Sequence, residues 1–122
     1  MEPPRILIVD DEDNIRSALV RWFEIRGFRA DSARDGVEAV EKCRANRYDI
    51  ITMDLEMPRM NGAAAIDLIR EKDPDVPILI LTGYGADPGT TRVNGLTRLL
   101  YKPLRLSEIE EEVRNLLEAR PD

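Results

Sequence analysis

Two stretches of the chain concentrate side chains capable of chemistry. Asp10, Asp11, Glu12 and Asp13 follow the apolar run Ile6 to Val9, and Asp54 heads a tight loop, LEMPRMNG, after a second such run. Thr82 and Lys102 occupy the equivalent places at the ends of two later apolar segments. Three ionised carboxylates, Asp10, Asp11 and Asp54, gathered within ~4 to 6 Å would raise one another's pKa unless they share a cation. Oxygen ligands with no His or Cys among them favour Mg²⁺ or Mn²⁺ over Zn²⁺. With the Lys102 ammonium and the Thr82 hydroxyl alongside, the parts suit phosphoryl transfer: a carboxylate nucleophile, cations to neutralise equatorial oxygens, and a hydroxyl to orient them. Asp54, a single acid on its loop, is the better nucleophile, and the Asp10-Asp11 pair suits a metal.

That set works only if the fold brings four distant segments to one rim. The runs Ile6 to Val9, Ile50 to Leu55 and Ile78 to Leu81 are continuously apolar, as expected of parallel strands covered on both faces. FRADSA at 28–33 and LLY at 99–101 are less apolar and suit sheet edges. Between them, Ile15, Ala18, Leu19, Trp22 and Phe23 recur at helical spacing with Gly27 able to end the helix. Asp35 with Glu38 predicts a capping box for a second helix, and Ala65, Ile66 and Ile69 mark a third after Asn61-Gly62. Ser107 with Glu110 predicts a box for the last helix, whose stripe is Ile109, Val113, Leu116 and Leu117, with Glu110, Glu111 and Glu112 on its solvated face. Residues 86–95, ADPGTTRVNG, oppose a long helix and predict a short or irregular one. Strand and helix alternating five times read as a doubly wound α/β sandwich with a parallel sheet, in which ligands gather outside the carboxyl ends of the strands.

Composition narrows the function classes. A chain of 122 residues, 43% hydrophobic and 34% charged, predicts one globular domain over 1–122, with its core at about 4–119 and no effector domain. No apolar run approaches the roughly 20 residues of a membrane span, and MEPP lacks the features of a secretory signal, so a cytoplasmic location without membrane contact is expected. The net charge of −6 argues against direct nucleic-acid binding. With no histidine, the chain has no Ser-His-Asp triad, His metal ligand or phosphohistidine of its own. The lone Cys43, at helical spacing from Ala39 and Val40, reads as a small core thiol.

In order, IVDDE, MDLEMPRMNG, ILILTGYG and LLYKP span nearly the whole chain. Together they resemble the receiver domain of two-component response regulators. The resemblance implies a flavodoxin-like (βα)5 fold with strand order 2-1-3-4-5, to which the two edge strands expected above conform. It implies Asp54 as phosphoacceptor, Asp10 and Asp11 as metal-binding acids, and Glu56 as donor of a backbone carbonyl to the metal. It also implies Thr82 and Lys102 as phosphoryl contacts, and a cis Lys102-Pro103 bond. The implied partners are a sensor histidine kinase or histidine phosphotransfer protein, and a downstream effector or a fused output domain in a longer parent. Such a domain is not an enzyme beyond its own phosphorylation and dephosphorylation. Tyr84 and Glu56 fall where receivers govern water access and hence dephosphorylation. Leu99 stands where receivers usually carry an aromatic switch residue, and the stretch from Thr82 to Lys102 is shorter than usual. Tyr101, on the same strand face as Leu99, either substitutes for that residue or packs as an edge-strand aromatic.

Other readings compete. The acids after Val9 could serve only the helix N-terminus, at ~0.3 to 1 kcal/mol each, but capping needs one acid and the run has four. Asp11-Glu12-Asp13 also reads as the D-x-D of a metal-dependent phosphohydrolase of the haloacid dehalogenase type, which would leave Asp54 idle. A pseudo-receiver working without phosphorylation would be expected to lack an acid, and none is missing.

Overall fold

The computed structural model describes residues 2–57, 59–83 and 96–119. Its elements are β1 (Arg5–Val9), α1 (Asp13–Ile25), β2 (Arg29–Ala33), α2 (Gly36–Ala45), β3 (Ile50–Met53), α3 (Gly62–Lys72), β4 (Ile78–Thr82), β5 (Thr97–Tyr101) and α4 (Leu106–Ala119). All strands pair in parallel in the order β2-β1-β3-β4-β5. The three apolar runs therefore occupy the centre and the two weaker ones the edges. The helix expected within 86–95 lies outside the described residues.

Strand alternation sends each central strand into both layers. Leu7, Val9, Ile51, Met53, Ile78 and Ile80 pack with Ala39 and Val40 of α2 and Ala65, Ile66 and Ile69 of α3. Ile6, Ile8, Ile50, Leu79 and Leu81 pack on the other face with Leu19 and Phe23 of α1 and Ile109, Val113 and Leu116 of α4. Burying each such side chain contributes ~1.5–3 kcal/mol, which explains why these strands carry no polar alternation. The chain turns from α1 into β2 at Gly27, whose φ of +97° suits a residue without Cβ.

The helices depart from their sequence patterns at three points. Ala18 is exposed, because α1 turns its Leu19 and Phe23 edge to the sheet. The last helix starts at Leu106, so Ser107 is not its cap; the Glu108 carboxylate instead accepts from the Arg105 amide. Glu110, expected in solvent, is buried, accepting from Trp22 Nε1 at 2.9 Å, Arg26 Nε at 3.0 Å and Arg114 Nε at 2.8 Å. These bonds draw its carboxyl below the usual range although burial acts in the opposite direction. At α2, Asp35 accepts from the Glu38 amide as expected, while the Glu38 carboxylate reaches the Arg34 amide one residue before the cap.

Cys43 is half-buried against the α2/α3 layer. Burial pushes its thiol up to about 11, in keeping with an unreactive packing role.

Candidate functional site

Backbone pairing continues one residue past three strands, and this fixes the rim. The Asp10 amide donates to the Ala33 carbonyl at 3.1 Å, that of Asp54 to Val9 at 3.1 Å, and that of Lys102 to Thr82 at 2.8 Å. Asp10, Asp54 and Lys102 are thus held side by side although 92 residues separate the first from the last. By alternation all three follow residues facing the α2/α3 layer, so their own side chains turn together toward the α1/α4 side of the rim and converge.

Lys102 Nζ lies 3.2 Å from Asp10 Oδ2 and 3.6 Å from Asp54 Oδ2. Asp10, Asp11 and Asp54 can each place a carboxylate oxygen within 4.8 Å of the others. Asp10 and Asp54 are buried, at 2% and 7% exposure, while Asp11 faces solvent. The second oxygens are engaged locally: the Glu12 amide donates to Asp10 Oδ1 at 2.9 Å, and the Glu56 amide to Asp54 Oδ1 at 3.0 Å. The site therefore opens toward Asp11.

Burial is the largest influence on Asp54 and raises its pKa, opposed by the Glu56 amide and by Lys102; Asp10 and Asp11 push it higher still. For Lys102, burial favours the neutral amine, yet the attraction of Asp10 and Asp54 wins and its pKa is raised. A hard cation fits this donor set, since it would relieve the repulsion with oxygen ligands from two buried acids and an accessible one. Thr82, fully buried at the end of β4, has an Oγ1 with no hydrogen-bond partner among the described residues. An orphaned donor of this kind fits an anionic oxygen at the rim.

The loop carrying Asp54 is held at its far end. A Cβ on Gly62 would overlap the Asp54 carbonyl and stand 2.8 Å from Leu55 Cα, so only glycine admits this approach. Arg59, at φ 66°, places its guanidinium 3.0 Å from the buried Asp35 carboxylate and ties the loop to the start of α2. The spacing of Asp35 and Glu38 revealed a cap; nothing in the sequence pattern revealed its second partner.

The remaining expected residues are more dispersed. Glu56 is exposed beside Asp54. Leu99 is half-buried against the α2/α3 layer, and Tyr101 is 38% exposed. Tyr84 lies outside the described residues. The Lys102-Pro103 bond is cis. Glu12 is the N-cap of α1 without a side-chain cap bond, and Asp13 opens the helix, paired with Arg16 rather than joined to Asp11 in a D-x-D pair. Arg16, which lies off the apolar stripe of α1 by spacing, is mostly covered and donates to the Asp10 carbonyl.

A doubly wound parallel sheet with an acid-lysine cluster outside its carboxyl ends defines a class of phosphoryl-handling α/β domains. Residues 6–114 match the family model described as the response regulator receiver domain, and the chain belongs to that family. Transcriptional regulatory protein PrrA of Mycobacterium tuberculosis is 35% identical over 121 residues, covering 96% of this chain and 51% of the relative. Response regulator MprA of Mycobacterium sp. (strain KMS) is 38% identical over 119 residues, covering 94% and 51%. The chain thus spans about half the length of these relatives. Among solved structures, response regulator TrrA of Thermotoga maritima, in complex with Mg²⁺-BeF, superposes with a TM-score of 0.77 at 32% identity, covering 95% of this chain and 99% of that one. Chemotaxis protein CheY4 of Vibrio cholerae gives 0.82 at 26% identity, covering 93% and 98%. Among the described residues no helix is long and apolar enough to cross a membrane.

Proposed function

We propose that this receiver domain accepts a phosphoryl group on Asp54 and passes the signal on through a change of conformation. The observation that carries the reading is the Lys102 ammonium set between the Asp10 and Asp54 carboxylates, with Asp11 completing an oxygen cluster. An Asp54 oxygen attacks phosphorus, the bond from phosphorus to the donor's imidazole nitrogen breaks, and an acyl phosphate forms. Lys102 and the Thr82 hydroxyl hold the transferred oxygens, and Asp10 keeps Lys102 in place. A Mg²⁺ ion on Asp10, Asp11, Asp54 and the Glu56 carbonyl would supply charge neutralisation for the incoming phosphoryl group.

The donor is a histidine kinase or histidine phosphotransfer protein, a reading supported by membership of the receiver family; with no histidine, the chain itself has no phosphohistidine. The reader is a downstream effector or a fused output domain; the name of the PrrA relative, a transcriptional regulatory protein, supports an output in gene control. Phosphorylation of Asp54 replaces a carboxylate held by Lys102 and the Glu56 amide, so these contacts must rearrange. We place the protein in the cytoplasm and assign it no catalysis beyond its own phosphorylation and dephosphorylation.

The test is to incubate the protein with Mg²⁺ and a small acyl-phosphate donor and measure intact mass. A phosphoryl adduct on the wild type that is absent from Asp54→Ala is expected. An unmodified wild type, or an undiminished adduct on the variant, would overturn the assignment.

A further inference from the structure

The run Asp10-Asp11-Glu12-Asp13 supplies more acids than one cation needs, and the structure separates them through Arg16. Its Nη1 donates to the Asp10 backbone carbonyl at 2.9 Å, and its Nη2 to Asp13 Oδ1 at 2.5 Å. The Arg16 side chain is 18% exposed, although it lies on a helix edge whose neighbour Ser17 is in solvent. Asp13 retains 85% exposure and is turned toward the guanidinium. Asp10, by contrast, is held by main-chain and side-chain atoms alike: its amide by Ala33, its carbonyl by Arg16, Oδ1 by the Glu12 amide and Oδ2 by Lys102.

We propose that Arg16 is a positioning residue for the cation site, fixing the junction between β1 and α1 so that Asp10 and Asp11 face Asp54 while Asp13 is kept out. This rests on the metal reading above. The planar guanidinium can serve a carbonyl and a carboxylate at once, which an ammonium on a flexible stem does not reproduce. Without the bridge, the Asp10 carbonyl loses its side-chain donor and residues 10–13 gain freedom that metal binding must then remove.

Positioning by Arg16 and simple charge act on Mg²⁺ affinity with opposite signs. Removing a positive charge near the site, and releasing Asp13 from its ion pair, should tighten Mg²⁺ binding if through-space electrostatics governs. Loss of positioning should weaken it.

The measurement is Mg²⁺ affinity by titration calorimetry on the wild type, Arg16→Gln, Arg16→Lys and the charge-balanced Arg16→Gln/Asp13→Asn, with thermal unfolding in EDTA alongside. Arg16→Gln is expected to bind Mg²⁺ about 10-fold more weakly while unfolding in EDTA close to the wild type. The double variant should stay weak and Arg16→Lys should recover part of the loss. Equal or tighter binding by Arg16→Gln, or wild-type affinity in the double variant, would overturn the inference while leaving the metal site intact. If Arg16→Gln does not fold, Arg16→Lys decides: wild-type affinity refutes positioning, and reduced affinity supports it. A wild type that takes up no Mg²⁺ would overturn the metal reading and this inference with it.

Discussion

Asp54→Asn should make the metal-free protein more stable. At an effective dielectric constant of about 20, unit charges at the 4.8 Å limit of the cluster repel by about 3.5 kcal/mol, and Lys102 at 3.6 Å attracts Asp54 by about 4.6 kcal/mol. Asp10 repels Asp54 at close to full strength because both are buried, whereas water about halves the repulsion from exposed Asp11. Attraction and repulsion then nearly cancel, leaving the desolvation of Asp54, the largest influence on its raised pKa, as a penalty of about 1–2 kcal/mol. Asparagine removes the charge while its Oδ1 can still accept from the Glu56 amide, and Lys102 keeps Asp10. Thermal unfolding in EDTA at neutral pH should show a Tm about 4–8 °C above wild type. Mg²⁺ should raise the wild-type Tm by mass action and the variant's far less. The sign with pH follows from the raised pKa: the penalty is complete above the folded-state value and vanishes as pH falls toward 3.8, where the two proteins should converge. A variant less stable than wild type in EDTA would refute the reasoning, because Asp54 would then be a satisfied structural carboxylate.

Two further outcomes follow from the packing. Glu110→Gln should cost about 1–2 kcal/mol at pH 7, since Arg26 and Arg114 lose their carboxylate but remain about half exposed and can rehydrate. The Glu110 contribution is present above about pH 4.5 and is lost as pH falls through its lowered folded-state value, so urea unfolding monitored by Trp22 emission should show the mutant's deficit shrinking in acid. Gly62→Ala should cost at least ~2 kcal/mol, because the methyl group overlaps the Asp54 carbonyl and the loop must move. It should also slow acyl-phosphate labelling of Asp54; a variant of wild-type stability and labelling rate would show that the loop yields freely.

The central strands were legible because a parallel strand buried on both faces must be apolar throughout, and only three segments satisfy that. The rim residues were legible for a related reason: a charged or hydroxyl group at the end of such a strand has few structural explanations, and all three strands carried one, with Lys102 following the edge strand β5. Helix faces were harder to read. Ala18 fits the α1 stripe by spacing but sits at its margin, where the sheet does not reach. Glu110 looked like any exposed acid because its partners, Trp22 and Arg26, are 88 and 84 residues away.

The sequence by itself determined the sheet, the set of rim residues and the kind of cation they suit, since these follow from local polarity and from donor chemistry. Only the tertiary structure decided how the acids divide. Asp10 is buried and held through amide, carbonyl and both carboxylate oxygens, Asp11 is left facing solvent, and Asp13 is drawn to Arg16. It also set Lys102 between Asp10 and Asp54 and left the Thr82 hydroxyl without a partner among the described residues. The physical reason is range: burial and spacing are written in neighbouring residues, whereas electrostatic partnership depends on side chains that meet only when distant strands end on the same rim.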